Sequence, residues 1–424
     1  MTPRDHQSSH TPHDEVMDTP DRPPLMTEPE DGVPFVVDEP RGLQRCAEAL
    51  SHGTGPVAVD AERASGFRYG QRAFLVQLKR EGSGLWLVDP EPFDSLLPLQ
   101  HALEGTEWIL HAATQDLPCL AELGMHPHAL FDTELASRLC GLPKVGLGAI
   151  VESLLGVRLA KEHSAADWST RPLPADWLRY AALDVELLIE LRERLISLLD
   201  EQGKSQWAAE EFEHLRTERP ASAPRAERWR KTSGINRLKS PRALGALREI
   251  WNAREDLAER KDVAPGRILP DSALVAAARA MPRTVPQLLA VEGFHGRGAR
   301  REAPRWLRAL HDGAHSEDPP SLQRRTSTGP PAPRTWRDRA PLAFRRYRTA
   351  RERLAYRADE LQVMAETLLV PAVLKQLCWS PPEPVDLETV STFLRELGAR
   401  PWQIQQTAAV VTVALLDPDP LEEL

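Results

Sequence analysis

The chain has 424 residues with a formal net charge of -9, and 41% of its residues are hydrophobic. This length exceeds that of one ordinary domain, so we expect two or three compact units. No apolar run reaches the length of a membrane span and the N-terminal residues lack the apolar core of a signal peptide, so we expect neither a membrane-spanning segment nor secretion.

Charge is distributed unevenly along the chain. Residues 221–348 contain 27 Lys and Arg against 13 Asp and Glu, a net charge of +14. A basic stretch within an acidic chain is a candidate phosphate-binding surface. The alternative is a solvated, arginine-rich surface, and the charge count alone leaves both open.

The four cysteines, at positions 46, 119, 140 and 378, include no Cys-x-x-Cys pair. This spacing argues against a zinc knuckle and against a disulfide framework. It is typical of a protein from a reducing compartment, so we expect a cytoplasmic location.

Residues 1–34 are rich in Pro, Asp, Glu, Thr and His, which predicts a disordered tail. From residue 35 to residue 216, short apolar runs alternate with helical stretches, a pattern typical of an α/β layer fold. Two of these runs, FLVQL and LWLVD, are joined only by KREGSG. Because this segment has the length of a hairpin loop, the sheet must be mixed rather than wholly parallel.

The second half of the chain is predicted to be all-α. Segments rich in Pro, Ser and charge predict linkers at 217–238 and 314–340. Helical patterns fill residues 239–313 and 341–424. These two segments could be distant repeats of one unit, although no fixed period is visible.

Two acidic residues follow the apolar part of the strand PVAVDAE. Residues two apart on a strand share a face, so Asp60 and Glu62 point the same way while Val57 and Val59 face the core. Acidic groups near the end of a buried strand are costly unless a partner compensates them, and hard divalent cations bind carboxylate oxygens. The alternative is a strand that ends in a polar turn, because Asp-x-Glu is frequent by chance.

Three further residues lie in predicted helical segments. Tyr180 and Asp184 are four apart in YAALD, so they lie on one helix face. Asp116 follows the strand-like WILHAA and opens DLPCLAEL. The simple alternatives are an amphipathic helix with a buried tyrosine and a surface aspartate, and a helix cap at Asp116.

Together these segments resemble the ribonuclease D family, in the tyrosine-bearing subclass of DEDD exonucleases. VDAE is similar to the first exonuclease motif, LHAATQDLPCL to the second and YAALDVELLIEL to the third. Between them, FDTELASRLCG and SAADWSTRPLP match as well, so the resemblance runs without a large gap over residues 35–200. It implies an α/β ribonuclease H-like exonuclease domain with a mixed sheet.

The resemblance implies roles for the five residues. Asp60, Glu62 and Asp184 would hold one divalent metal ion, Mg²⁺ or Mn²⁺, and Asp60 would bridge to a second ion bound by Asp116. Tyr180 would orient the attacking water. Two ions about 4 Å apart can acidify a water and stabilise the leaving oxygen. Tyrosine, with a pKa near ~10, is a poor general base.

Residues near these motifs are further candidates. Lys161 and Trp168 lie in the matched stretch before the third motif and are expected to contact the substrate, although a lysine after a helix is often only solvated. His111 lies near the second motif, where packing at the strand end is favoured over a place in the site. The loop 68–72, with two arginines and a tyrosine, follows the first motif and is positioned to contact the nucleotide.

The helical half resembles modules found after such nuclease domains. Residues 239–313 resemble an HRDC domain, and residues 341–424 resemble the second, more divergent HRDC-like unit of ribonuclease D. Such modules often bind nucleic acid, so Arg297 and Arg301 are expected to meet RNA phosphates. The alternative is that the helical modules only pack on the nuclease domain and do not bind RNA. We expect deletion of residues 217–424 to weaken RNA binding or to change substrate choice, and to leave the metal site intact.

These features predict a monomeric, metal-dependent 3′→5′ exoribonuclease. Its substrates would be the single-stranded 3′ ends of RNA, in particular of tRNA precursors. It would release nucleoside monophosphates. A DNA exonuclease is the alternative enzyme, which the absence of a P-loop motif for a helicase motor disfavours. A catalytically silent RNA-binding scaffold is the alternative from another class, and the presence of all five site residues disfavours it.

Overall fold

The structure is a computed structural model that describes residues 22–160, 166–217, 228–322 and 329–420. Residues 1–21 of the predicted tail and the predicted substrate contact Lys161 lie outside these ranges. The predicted α/β domain followed by helical units is confirmed. No helix within the described ranges is long and apolar enough to cross a membrane.

A six-stranded mixed sheet forms the centre of the first domain. Its strand order is β2-β5-β4-β3-β6-β7, and β1 pairs separately with β8. The predicted hairpin is β4–β5, and β4 is also antiparallel to β3, whereas β3, β6 and β7 run parallel. The carboxyl ends of β3 and β6 therefore meet at one edge of the sheet. The strands are β1 (Leu25–Met26), β2 (Val36–Val37), β3 (Thr54–Arg63), β4 (Ala73–Glu81), β5 (Gly84–Val88), β6 (Glu107–Leu110), β7 (Ala129–Asp132) and β8 (Arg158–Leu159).

Helices cover both faces of this sheet. Along β3, Val57 and Val59 contribute to one hydrophobic cluster and Ala58 contributes to another on the opposite face, as strand alternation requires. The helices α1, α2 and α3 pack on the first face, and α4, α5, α7 and α8 pack on the second. The helices are α1 (Pro40–His52), α2 (Leu97–Ala102), α3 (Leu117–Glu122), α4 (Thr133–Leu139), α5 (Leu147–Leu155), α6 (Ala175–Glu186), α7 (Leu188–Glu201) and α8 (Ser205–Thr217).

Residues 22–34 are ordered, contrary to the predicted disorder of this part of the tail. β1 pairs in parallel with β8, and the amide of Arg158 donates to the Pro24 carbonyl at 2.9 Å. Further along, the amide of Glu30 donates to the buried carboxylate of Glu186 at 3.1 Å. Hydrogen bonds of main-chain groups therefore hold residues 22–34 at both ends. Such bonds do not require the large apolar side chains that this segment lacks.

Two helical units follow the α/β domain along the chain. The first helical unit contains Pro241–Lys261, Pro265–Ile268, Asp271–Ala280, Val285–Leu289, Gly296–Arg301 and Ala303–Ala314. The second helical unit contains Trp336–Arg339, Pro341–Glu360, Ala365–Leu368, Pro371–Trp379, Leu387–Glu396 and Pro401–Leu416. Short 3₁₀ turns at Trp229–Lys231, Ile235–Arg237 and Pro333–Thr335 precede them.

The first three helices of the first unit recur in the second at a displacement of 100 residues. Corresponding helices begin at residues 241 and 341, 265 and 365, and 271 and 371. Both long helices are followed by a residue with positive φ, Asp262 at 47° and Gln362 at 51°. The order and spacing of these helices therefore show that the two helical units are related, which the amino-acid sequence alone did not reveal.

The second helical unit shares a hydrophobic core with the α/β domain. One cluster joins Phe131 and Leu191 to Leu377 and Trp402, and the rings of Trp207 and Trp402 stack with centroids 4.7 Å apart. Deleting residues 217–424 would expose this shared core to water. We therefore correct the expectation that such a deletion leaves the metal site intact.

Candidate active site

Three carboxylates converge beside the central strand. Asp60 and Glu62 lie on β3, and Asp184 lies on α6, which packs against β3 and β4. One oxygen from each carboxylate can be chosen so that all three lie within 4.8 Å of one another. All three residues are half-buried. The structure thus brings together the first and third motifs as the sequence predicts.

Burial raises the pKa of each of these carboxyl groups. The pKa of Asp60 rises to about 6. The pKa of Glu62 rises to about 10, through burial first and then through the negative charges of Asp60, Asp184 and Asp116. Burial and the charge of Asp60 hold the pKa of Asp184 well above its usual range. The metal-free cluster is therefore partly protonated at neutral pH, and a divalent cation would offset the repulsion.

Asp116 borders the cluster but lies outside the three-carboxylate group. It is only 5% exposed, in the turn that follows β6. Nη2 of Arg63 lies 3.7 Å from its Oδ1 atom. Burial first and then the charge of Asp60 raise the pKa of Asp116 to about 8, and Arg63 opposes this rise. Asp116 therefore interacts electrostatically with the carboxylate cluster. The basic side chain that faces it is Arg63.

Tyr180 lies one helical turn before Asp184, and its hydroxyl donates a hydrogen bond to the Asp184 carboxylate. Burial raises the pKa of Tyr180 further above its usual range, and the negative charge of Asp184 adds to this effect. The hydroxyl is therefore protonated at physiological pH. A protonated phenol can orient a water but cannot act as a base.

A cavity of about 290 Å³ adjoins Tyr180. Its other walls include Arg179 and Leu183 from α6 and Thr27 and Glu28 from the ordered N-terminal segment. The segment that the composition predicts to be disordered thus forms part of the surface next to the third motif.

The turn that carries Asp116 is held by Asp132, at the end of β7. The Asp132 carboxylate accepts from the amides of Ala112 at 3.3 Å and Ala113 at 2.8 Å, and from Leu135 at the start of α4 at 3.0 Å. Ala112 has a φ of 59°, a conformation that a non-glycine residue adopts rarely. The hydrogen bonds to Asp132 therefore stabilise the backbone that places Asp116.

His111 and Trp168 are packed within the α/β domain and are not part of the carboxylate cluster. His111 Nδ1 lies 2.9 Å from the Thr133 hydroxyl, and burial lowers the pKa of His111 to about 4, so a neutral imidazole packs at the strand end as the sequence favours. Trp168 is 1% exposed and packs with Phe74 and Leu75. Its ring has no access to RNA, and we correct its predicted substrate contact to a packing role.

The predicted RNA contacts of the first helical unit lie at its surface. Arg297 lines a cavity of about 400 Å³ together with His295 and Arg300. The side chain of Arg301 is 71% exposed, with Nε 3.6 Å from Glu302. Both arginines can meet a phosphate, and neither belongs to the carboxylate cluster.

The sequence interpretation did not assign two residues that shape the site. Arg63 directly follows VDAE, and nothing in its local pattern indicates that it reaches the second motif. Asp132 precedes the helix-forming TELASRL, so the preference of Asp for N-cap positions could have indicated a role in holding a turn.

Comparisons with known proteins agree with this architecture. A family model described as "3'-5' exonuclease" matches residues 34–200. An "HRDC domain" model matches residues 243–310, and a "3' to 5' exonuclease C-terminal domain" model matches residues 329–415. The second helical unit is thus matched by a model with a different description from the first.

Ribonuclease D of Gluconacetobacter diazotrophicus is 34% identical over 273 residues, which cover 61% of this chain and 68% of that protein. The chain belongs to the ribonuclease D family. Within this family, ribonuclease D of Pseudomonas paraeruginosa is 30% identical over 305 residues, which cover 70% of this chain and 79% of that protein.

Solved structures have the same fold. A protein from Bifidobacterium adolescentis is 37% identical and matches with a TM-score of 0.85 over 93% of this chain and 100% of its own. Escherichia coli RNase D, described as an exoribonuclease involved in structured RNA processing, is 24% identical with a TM-score of 0.64 and covers 86% of this chain and 98% of its own. The predicted ribonuclease D family, the fold class and the 3′→5′ exoribonuclease class are confirmed.

Proposed function

We propose that this ribonuclease D family member removes nucleotides one at a time from single-stranded RNA 3′ ends, using divalent metal ions held by Asp60, Glu62, Asp116 and Asp184. The observation that carries the proposal is the convergence of three carboxylates within 4.8 Å, next to Tyr180, in a matched exonuclease domain.

The donor set fits a hard cation. The converging group offers only carboxylate oxygens, which suit Mg²⁺ or Mn²⁺ better than the softer ions that His and Cys select. When bound, two such ions supply Lewis-acid chemistry, lowering the pKa of water and neutralising charge on the phosphate. For Asp116 to act as a ligand, Arg63 must release it.

Tyr180 orients the attacking water in this proposal. The Tyr180 hydroxyl interacts with the Asp184 carboxylate, and its oxygen can also accept a hydrogen bond from a water. The raised pKa of Tyr180 keeps the hydroxyl protonated throughout. Tyr180 therefore positions the nucleophile without taking its proton.

The proposed substrate class is precursor RNA with a structured body and a single-stranded 3′ end, such as tRNA precursors. The net charge of +14 over residues 221–348 and the exposed Arg297 and Arg301 support it. One chain supplies all five site residues, which supports action as a monomer. The four cysteines are free and buried, which supports a reducing, cytoplasmic setting.

The test uses two labelled substrates of the same sequence. Purified full-length protein is incubated with Mg²⁺ or Mn²⁺ and either single-stranded RNA or single-stranded DNA labelled at the 3′ end. The proposal expects labelled nucleoside monophosphate as the first product from RNA, and none after chelation with EDTA. Release from DNA alone, or release of RNA nucleotides in EDTA, would contradict the proposal.

A further inference from the structure

Both helical units contact the α/β domain through the turn after their long helix. Asp262 and Gln362 are equivalent positions, each with positive φ. In the second unit, Lys204 Nζ donates to the Gln362 carbonyl at 3.2 Å and to the Leu139 carbonyl at 2.7 Å. A Cβ atom at Gly141 would lie 2.3 Å from the Gln362 carbonyl oxygen, so the two backbones approach closely there. The two helical units thus contact the α/β domain through equivalent corners, the turns at Asp262 and Gln362.

In the first unit the same corner binds the loop after the first motif, residues 64–72. The Asp262 carboxylate accepts two hydrogen bonds from Arg72, at 3.2 and 3.0 Å, and one from the Tyr69 amide at 3.3 Å. Arg68 Nη1 lies 3.7 Å from the same carboxylate. The arginines that we expected to contact a nucleotide therefore hold a helical unit instead.

Two neighbouring contacts extend this corner. The amide of Ala264 donates to the Phe67 carbonyl at 2.8 Å, and Arg267 Nε donates to the Gly66 carbonyl at 2.8 Å. The Arg267 guanidinium also lies 4.0 Å from the centre of the Phe67 ring. Each of these contacts involves a polar or charged group.

The two units are attached by different kinds of interaction. The second unit shares a hydrophobic cluster with the α/β domain, whereas the cluster of the first unit contains only residues between Trp229 and Ala314, within the described chain. The orientation of the first unit therefore depends on the Asp262 corner. Polar interfaces of this kind permit relative domain motion unless a specific contact fixes them.

The corner lies between the metal-binding strand and a basic surface. On one side, residues 64–72 continue from the strand that carries Asp60 and Glu62, and Phe67 packs in the same cluster as Tyr180. On the other side, Arg267 and Lys261 line a cavity of about 300 Å³, and His295 belongs both to that cavity and to the one lined by Arg297. The corner therefore adjoins two neighbouring cavities with basic side chains, and Glu302, which pairs with Lys261, also lines the first of them.

We propose that Asp262 is a positioning residue, which aligns the basic surface of the first helical unit with the metal site so that one RNA chain engages both. This inference rests on the proposed function. A two-nucleotide RNA offers few phosphates beyond the bond that is cut, so we expect the alignment to matter mainly for longer RNA.

The test compares kcat and KM on two substrates, a two-nucleotide RNA and a single-stranded RNA of about 20 nucleotides, longer than one typical binding site. The variants are Asp262→Asn, Asp262→Gly, Arg72→Gln and the double change R72Q/D262N in the full chain. Glycine accepts a φ of 47°, so Asp262→Gly removes the carboxylate and keeps the turn. Glu360→Gln, which removes an exposed ion pair with Arg357 in the second unit, is the matched control.

We expect each single variant to raise KM for the longer RNA about tenfold, with kcat and both constants for the two-nucleotide RNA unchanged. The double variant should lose less than the sum of the two single variants, because each single variant already removes the Arg72–Asp262 pair, although Arg72 also pairs with Glu91 and Asp262 also accepts from Tyr69. Unchanged KM for the longer RNA, additive effects, or equal losses on both substrates would overturn the proposal. Wild-type protein that is inactive on both RNAs would instead refute the proposed function, and with it this inference.

Discussion

The guanidinium of Arg63 lies 3.7 Å from the carboxylate of Asp116, measured from Nη2 to Oδ1. Arg63 is the last residue of the strand that carries Asp60 and Glu62, so this strand supplies two acids of the cluster and a cation that faces the second motif. This cation faces the carboxyl group that the family resemblance assigns to the second ion, and its charge opposes the rise in the pKa of Asp116. A metal ion bound at Asp116 would therefore meet the positive charge of Arg63.

Arg63→Gln should tighten the binding of Mn²⁺. The substitution removes a positive charge that repels the incoming ion and frees Asp116, and we expect the dissociation constant to fall by about tenfold, or roughly 1.4 kcal/mol. Calorimetric titration of the purified protein measures this change. Arg216→Gln, which disrupts an exposed ion pair with Glu213, should leave the binding unaltered. Weaker binding by Arg63→Gln would show that the arginine supports the ion instead.

The stability of the metal-free protein should fall as pH rises from about 7 to about 8.5. The folded-state pKa values of Asp116, about 8, and Glu62, about 10, lie above the value of an unfolded carboxyl group. The folded protein therefore holds protons that the unfolded chain has already released, and raising the pH costs the folded state about 1.4 kcal/mol per unit for each such proton. His111, with a pKa of about 4 in the folded protein, is neutral there over this window, and an unfolded imidazole with a pKa of about 6.5 is mostly neutral as well.

Urea unfolding in EDTA at the two ends of this window measures the effect. The Glu62→Gln protein has no titrating carboxyl group at this position, so its free energy of unfolding should depend less on pH. Saturating Mn²⁺ should also flatten this dependence, since the bound carboxylates are ionised in the folded state. A free energy of unfolding that increases with pH in the metal-free protein would contradict the assignment of raised pKa values.

Gln77 is a buried polar side chain opposite Asp60 of the carboxylate cluster. It is 0% exposed, pairs across the strands with Asp60, and neither its Oε1 nor its Nε2 atom has a hydrogen-bond partner among the described residues. Gln77→Leu should therefore raise the free energy of unfolding of the metal-free protein by about 1–3 kcal/mol, the cost of leaving a buried polar group unpaired. Gln44→Leu, at an exposed position, should change it little. Destabilisation by Gln77→Leu, measured by urea unfolding, would show that the amide makes a stabilising contact.

Local patterns were sufficient to predict the elements that carry the site. The two-residue spacing of Asp60 and Glu62 on a strand and the four-residue spacing of Tyr180 and Asp184 on a helix each define a face, and both faces meet in the structure. The short KREGSG connection predicted the antiparallel hairpin of the mixed sheet. In each case, the information lies within a few neighbouring residues.

Contacts between distant segments could not be predicted in this way. The pair of Arg72 and Asp262 joins residues 190 positions apart, and neither neighbourhood carries a signal for the other. The ordered N-terminal segment relies on main-chain bonds to Arg158, which composition does not encode. Trp168 was assigned to the substrate because it lies in a matched motif, yet its large apolar ring is buried.

The most direct test of the central claim is the rate at which the Asp60→Asn protein releases nucleoside monophosphates from 3′-labelled RNA in saturating Mn²⁺. Asparagine keeps the size of the side chain and removes the charge that holds the metal, whereas Glu190→Gln removes an exposed carboxylate from the next helix and serves as the control. The account predicts a loss of at least about 100-fold for Asp60→Asn, which corresponds to a few kcal/mol of transition-state stabilisation. An Asp60→Asn rate equal to that of Glu190→Gln would contradict the metal site proposed for this protein.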